Sequence, residues 1–117
     1  KKLLQTWFTR PQQDSGTGLR DHDGAAAKQL VDDGAVLLDV RSRAEFASGH
    51  LAGALNIPHT ELHLRMYEVR SAQGNDRSKP VVVYCRSGGR SAMAKRRLVE
   101  AGIDQVLDLG GIHNWAS

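Results

Sequence analysis

Four short stretches of this chain are apolar almost without interruption: Val36-Leu37-Leu38-Asp39-Val40, Ala54-Leu55-Asn56-Ile57, Val81-Val82-Val83-Tyr84 and Val106-Leu107-Asp108-Leu109. A strand that faces water on one side alternates polar and apolar residues; one covered on both sides does not. Near-continuous runs of this length therefore predict strands buried on both faces, as in a parallel sheet. Parallel neighbours need crossover connections, and the segments between the runs carry helical spacing. Asp23 is placed to cap a helix over 24–33 with Ala27, Leu30 and Val31 on one face and Gly34 as its stop. Ser42 is placed to cap a short helix through Ala44, Glu45 and Phe46, ended by Gly49. Thr60 is placed to cap another through Leu62, Met66 and Val69. A fourth helix is predicted over 91–101, with Ala94, Leu98 and Ala101 inward and Gly102 beyond it. The fold class that follows is α/β, a mostly parallel sheet covered by helices on both faces.

At 117 residues, with 40% hydrophobic and 25% charged residues, the chain has the balance of one globular domain and the size to bury a core without disulfides. It has a single cysteine, so no disulfide closes within it, and a lone thiol fits a reducing compartment. The location expected is cytoplasmic; the chain opens on Lys1-Lys2-Leu3-Leu4 without methionine, and a trimmed, periplasmic mature form is the alternative. No apolar run approaches the roughly 18 residues of a membrane span. The net charge is +3, but the arginines form no single run, so a nucleic-acid partner is not expected and a small anionic substrate is. Leu3, Leu4, Trp7 and Phe8 fit one face of a short helix, and residues 10–18 read as a polar linker. The domain organisation expected is an extension and linker over 1–20 and one domain over 21–117.

In open parallel sheets, ligands bind beyond the carboxyl ends of the strands. Beyond Tyr84 comes Cys85-Arg86-Ser87-Gly88-Gly89-Arg90-Ser91, followed by a helix. Two glycines let the backbone turn its N–H groups inward, and the start of the next helix adds free N–H groups and positive field. Arg86 and Arg90 add full charges at the rim. A cysteine in that setting is expected to titrate below the free-thiol value of about 8.5 and to react as a thiolate. The competing reading of Cys85 alone is a buried, inert thiol. Its company of glycines, arginines and a helix start favours chemistry.

The segment 82–91 resembles the active-site loop of the rhodanese (thiosulfate sulfurtransferase-like) family. Leu38-Asp39-Val40-Arg41 with Glu45-Phe46 and Gly49-His50-Leu51-Ala52-Gly53-Ala54-Leu55-Asn56-Ile57-Pro58 resembles that family's amino-terminal signature. Gly110-Gly111-Ile112 with Trp115 resembles its carboxyl-terminal one. The resemblance implies a rhodanese-like fold with a mostly parallel five-stranded sheet. It also implies a two-step transfer in which Cys85 takes the outer sulfur of thiosulfate as a persulfide and passes it to cyanide, a thiol or a protein, without metal or organic cofactor. Cys85 then matches the nucleophile, and Arg86, Ser87, Gly88, Gly89, Arg90 and Ser91 the cradle of the persulfide. Asp39 and Arg41 match a supporting pair beside it.

Asp39 interrupts a buried strand, and a lone buried carboxylate is costly, so it requires a partner. Arg41 is left between steering an anion and pairing with Glu45. His59 and His63 are four apart but lack a third ligand, so zinc is not expected. His50 and His113 are expected to serve structure, and Trp115 to pack on the last strand. A cysteine phosphatase would need arginine six residues after the cysteine, and Ser91 stands there. A persulfide carrier uses the same loop chemistry, and a non-catalytic interaction module would not need Cys85.

Overall fold

The computed structural model describes residues 19–116. The amphipathic stretch and the linker expected before residue 19 lie outside them. Among the described residues the chain runs α1 (Gly24–Asp32), β1 (Val36–Asp39), α2 (Arg43–Ala47), β2 (Leu55–Asn56), a 3-10 turn (His59–Glu61), α3 (Met66–Ala72), β3 (Val81–Cys85), α4 (Gly89–Glu100), β4 (Val106–Gly111) and a second 3-10 turn (Ile112–Asn114). All paired strands are parallel, in the order β2-β1-β3-β4.

The continuous apolar runs bury both faces of the sheet. On one face Val36, Leu38, Val81, Val83, Cys85 and Val106 pack with Met66 and Val69 of α3 and with Ala94 and Leu98 of α4. On the other, Leu37, Val82, Tyr84, Leu107 and Leu109 pack with Ala27 of α1, with Trp115 against them. Each fully buried aliphatic side chain contributes about 1.5–3 kcal/mol of transfer free energy. Asp23 caps α1 by accepting from the Ala26 N–H at 3.0 Å. Ser42 and Glu45 form a reciprocal capping box at the start of α2.

Three expectations are corrected. The sheet has four strands among the described residues, not five. Residues 21 and 22 do come alongside the exposed edge of β4, where the His22 N–H donates to the Asp108 carbonyl at 2.7 Å. The Asp21 carboxylate, however, takes the Asp108 N–H at 2.9 Å, in place of a main-chain carbonyl. His22 then turns to φ 65°, so no ladder propagates. Thr60 caps no helix. The His59 N–H is still bonded to the Val40 carbonyl at 3.0 Å, so the chain stays pinned to β1 until Thr60 falls inside a 3-10 turn, and α3 begins later at Met66. Finally, α4 begins at Gly89, two residues before Ser91, because Gly88 makes the turn from strand to helix by itself.

The last strand runs on through both glycines. A register shift opposite Val83 and Tyr84, with Gly110 at φ 82°, lets Gly111 pair with Cys85. No helix among the described residues is long and apolar enough to cross a membrane.

Candidate functional site

Cys85 is the last residue of β3, and only Arg86, Ser87 and Gly88 separate it from α4. Gly88 stands at φ 117°, a backbone conformation that a side chain disfavours, and it serves as the N-cap of α4. This sharp turn brings the Gly88 N–H to 3.0 Å from Cys85 Sγ. The residue is 1% exposed, so the sulfur forms the floor beneath a loop whose Arg86, Ser87 and Gly89 face solvent.

Burial pushes the Cys85 thiol up. Hydrogen bonds from the Ser91 hydroxyl and from the main-chain N–H groups of Ser91, Gly88 and Ser87 outweigh it, and hold the thiol below its ordinary value. The Ser91 hydroxyl also lies 3.1 Å from the Gly88 carbonyl. That carbonyl accepts from the hydroxyl's one proton here, and turning the proton to a thiolate would exchange this bond for one to an anion. Amides and a hydroxyl thus favour the anion, where the sequence reading also counted on the arginines. Alkylation of Cys85 by iodoacetamide is expected to show a titration midpoint below the ~8.5 of free cysteine. A midpoint at or above that value would remove the thiolate from the site.

Of the two arginines, Arg86 is exposed. Arg90 is engaged: Nη1 and Nη2 donate to Glu45 Oε1 and Oε2 at 2.7 and 3.0 Å. Sequence reasoning missed this partner. The Ser42-x-x-Glu45 spacing identifies Glu45 as a capping residue, which is also true, and nothing local shows its carboxylate reaching a residue 45 positions away as well.

Asp39 finds its partner in Arg41. Four hydrogen bonds of 2.6 to 3.0 Å join the carboxylate to the Arg41 main chain and guanidinium, and Arg41 Nη2 also donates to the Gly49 carbonyl at 2.7 Å. Arg41 does not pair with Glu45. It lies over the Tyr84 ring, 5.6 Å from its centre, and the Tyr84 hydroxyl accepts the Leu51 N–H at 3.1 Å. The pair thus sits beside the end of β3, where Asp39 lies opposite Tyr84, and its hydrogen bonds do not run to 86–91. At the other side of the loop, a Cβ on Gly111 would stand 2.7 Å from the Arg86 carbonyl, so β4 packs directly on the loop's first residue. His50 stacks on Phe46, with ring centres 3.6 Å apart.

Residues 23–117 match the family described as rhodanese-like domain. The chain belongs to this family. Among its rhodanese-like relatives is a sulfurtransferase of Allochromatium vinosum, 40% identical over 92 residues that cover 77% of this chain and 80% of that one. Another is the thiosulfate sulfurtransferase GlpE of Pseudomonas fluorescens, 36% identical over 90 residues, 76% of this chain and 77% of that one. In structure the chain is similar to the human single-domain sulfurtransferase, with a TM-score of 0.63 at 28% identity, over 75% of this chain and 86% of that one. The rhodanese-like fold expected from the three sequence motifs is the fold observed.

Proposed function

We propose that this rhodanese-like domain is a sulfurtransferase in which Cys85 carries the sulfur as a persulfide. The single observation that carries the reading is the turn from β3 into α4, which brings the Gly88 N–H to 3.0 Å from the Cys85 sulfur, where the neighbouring N–H groups of Ser87 and Ser91 also favour the anion. Such donors lower the energy of a thiolate, and of the persulfide anion that replaces it. The names of its relatives support sulfur transfer, and that of GlpE supports thiosulfate as donor.

The chemistry divides into two displacements. The Cys85 thiolate attacks the outer sulfur of thiosulfate. A new S–S bond forms, the S–S bond of thiosulfate breaks, and its electron pair leaves on sulfite. The terminal sulfur of the Cys85 persulfide is then attacked by the carbon of cyanide or the sulfur of a thiol. The S–S bond breaks and returns its pair to Cys85, regenerating the thiolate. Each electron pair comes from a reactant, so these steps call on no metal or organic cofactor. Ser87, Gly88 and Ser91 hold the sulfur through donors. Arg86 supplies cationic character at the rim, Arg90 stands there already shared with Glu45, and Asp39 and Arg41 stabilise the strand end.

A phosphatase is disfavoured by the three-residue link between β3 and α4 and by the engagement of Arg90 with Glu45, which leaves its fork unavailable to a phosphate. The test is mass spectrometry of the protein after treatment with thiosulfate. The expected result is a gain of one sulfur atom, mapped to Cys85 and removed by cyanide. An unmodified Cys85 in folded protein, under conditions where a known sulfurtransferase is loaded, would overturn the proposal.

A further inference from the structure

Helix α2 has five residues, and none of them is fully buried. Polar links join it to its neighbours on both sides. The capping box closes its first turn, with Ser42 N–H donating to Glu45 Oε1 at 2.9 Å. Arg43 reaches Glu61 through two hydrogen bonds of 2.7 and 2.8 Å. Glu45 reaches the catalytic loop through its two-point pair with Arg90, at 2.7 and 3.0 Å. The first turn of α2 is thus tied on one side to the 3-10 turn and on the other to the loop that holds the sulfur.

Arg90 lies near enough to Cys85 for a thiolate there to favour its charged form, and Arg41 opposes it from the end of β1. Yet the leading influences that favour the Cys85 thiolate are the Ser91 hydroxyl and main-chain N–H groups. A guanidinium already shared by a carboxylate presents little net field to a neighbour. The Glu45 carboxyl, held at about 2 first by Arg90 and then by the Ser42 N–H, stays ionised at any pH used to assay the protein.

We propose that Glu45 is a positioning residue of the sulfur-transfer site: it holds Arg90 in a two-point ion pair that offsets its charge beside Cys85 and so sets how strongly the site draws an anionic donor. This inference rests on the sulfur-transfer reading for its role, but its charge logic is testable apart from sulfur transfer. The wild-type pair is neutral. Glu45→Gln leaves one net positive charge and keeps a residue that closes a capping box equally well. Arg90→Ala leaves one net negative charge beside the sulfur. The double variant is neutral again.

The test compares alkylation of Cys85 by iodoacetate, an anion, with alkylation by iodoacetamide, which is neutral, in the four proteins. It is run at a pH where the thiol is fully ionised and at low ionic strength, with circular dichroism to verify each fold. Where Arg90→Ala does not fold, Arg90→Gln takes its place. The iodoacetate-to-iodoacetamide rate ratio is expected to rise by about threefold to tenfold in Glu45→Gln, fall by a similar factor in Arg90→Ala and return near wild type in the double variant, with all differences shrinking in about 1 M salt. The rate of sulfite release from thiosulfate is expected to follow the same order. Ratios that stay level across the set, or that move in the same direction in both single variants, overturn the inference. If the ratios move as expected while the wild-type protein never gains sulfur, the charge control stands and it is the sulfur-transfer reading that fails.

Discussion

Cys85→Ser is expected to form no thiocyanate from thiosulfate and cyanide while keeping its folded structure. Both displacements need a sulfur nucleophile at that position, and a serine hydroxyl at neutral pH is neither ionised nor able to form the S–S bond. The loss is expected to reach the background of the uncatalysed reaction, a fall of at least about 10³ when set against the contribution of a covalent nucleophile in other enzymes. The fold is expected to tolerate the change because serine is close to cysteine in volume. The Gly88 N–H that now reaches the sulfur at 3.0 Å can donate to a hydroxyl instead. Thiocyanate formation by the variant at even a few per cent of the wild-type rate would exclude Cys85 as the carrier, and circular dichroism with thermal unfolding checks that the loss is chemical.

Asp39→Ala is expected to cost about 3–5 kcal/mol of stability, because it removes one partner of a buried ion pair and leaves the other behind. Asp39 is fully buried, and the Arg41 side chain is 8% exposed. Its guanidinium would keep the Gly49 carbonyl and the face of Tyr84 but lose the carboxylate that balances its charge. Removing both, as in Asp39→Ala with Arg41→Met, is expected to cost less than the single change, since no buried charge is then left unpaired. Urea unfolding measures this as a lowered midpoint at unchanged slope. A loss below about 1 kcal/mol for Asp39→Ala would show that water reaches Arg41, and that the pair does not stabilise the strand end.

Much of this protein was legible along the chain. The run Val81-Val82-Val83-Tyr84 is β-branched and aromatic with no charge to place toward water, which favours a strand covered on both faces, and it became the sheet's fully buried β3. Asp23, Ser42 and Gly88 act on groups three residues away or fewer, so their effect is written in local spacing. The same holds for the site's central feature. The cysteine is followed within three residues by a glycine that starts a helix, and the turn brings that glycine's N–H to the cysteine's own sulfur.

What the spacing left open was every choice between side chains distant in sequence. Arg41 kept the expected pairing with Asp39, two residues away, but the face of Tyr84 that it also covers comes from a different strand. Arg90 read as a free cation for an anionic donor, and α2 supplied Glu45 to it. The edge of β4 could have received a fifth strand, and the Asp21 carboxylate took the place of its carbonyl. The physical reason is common to the three. Apolar runs, caps and glycine turns act over a few bonds and are settled before the elements meet, whereas the partner of a charged group is set by which helix packs beside which strand end, and that distance exists only in the folded molecule.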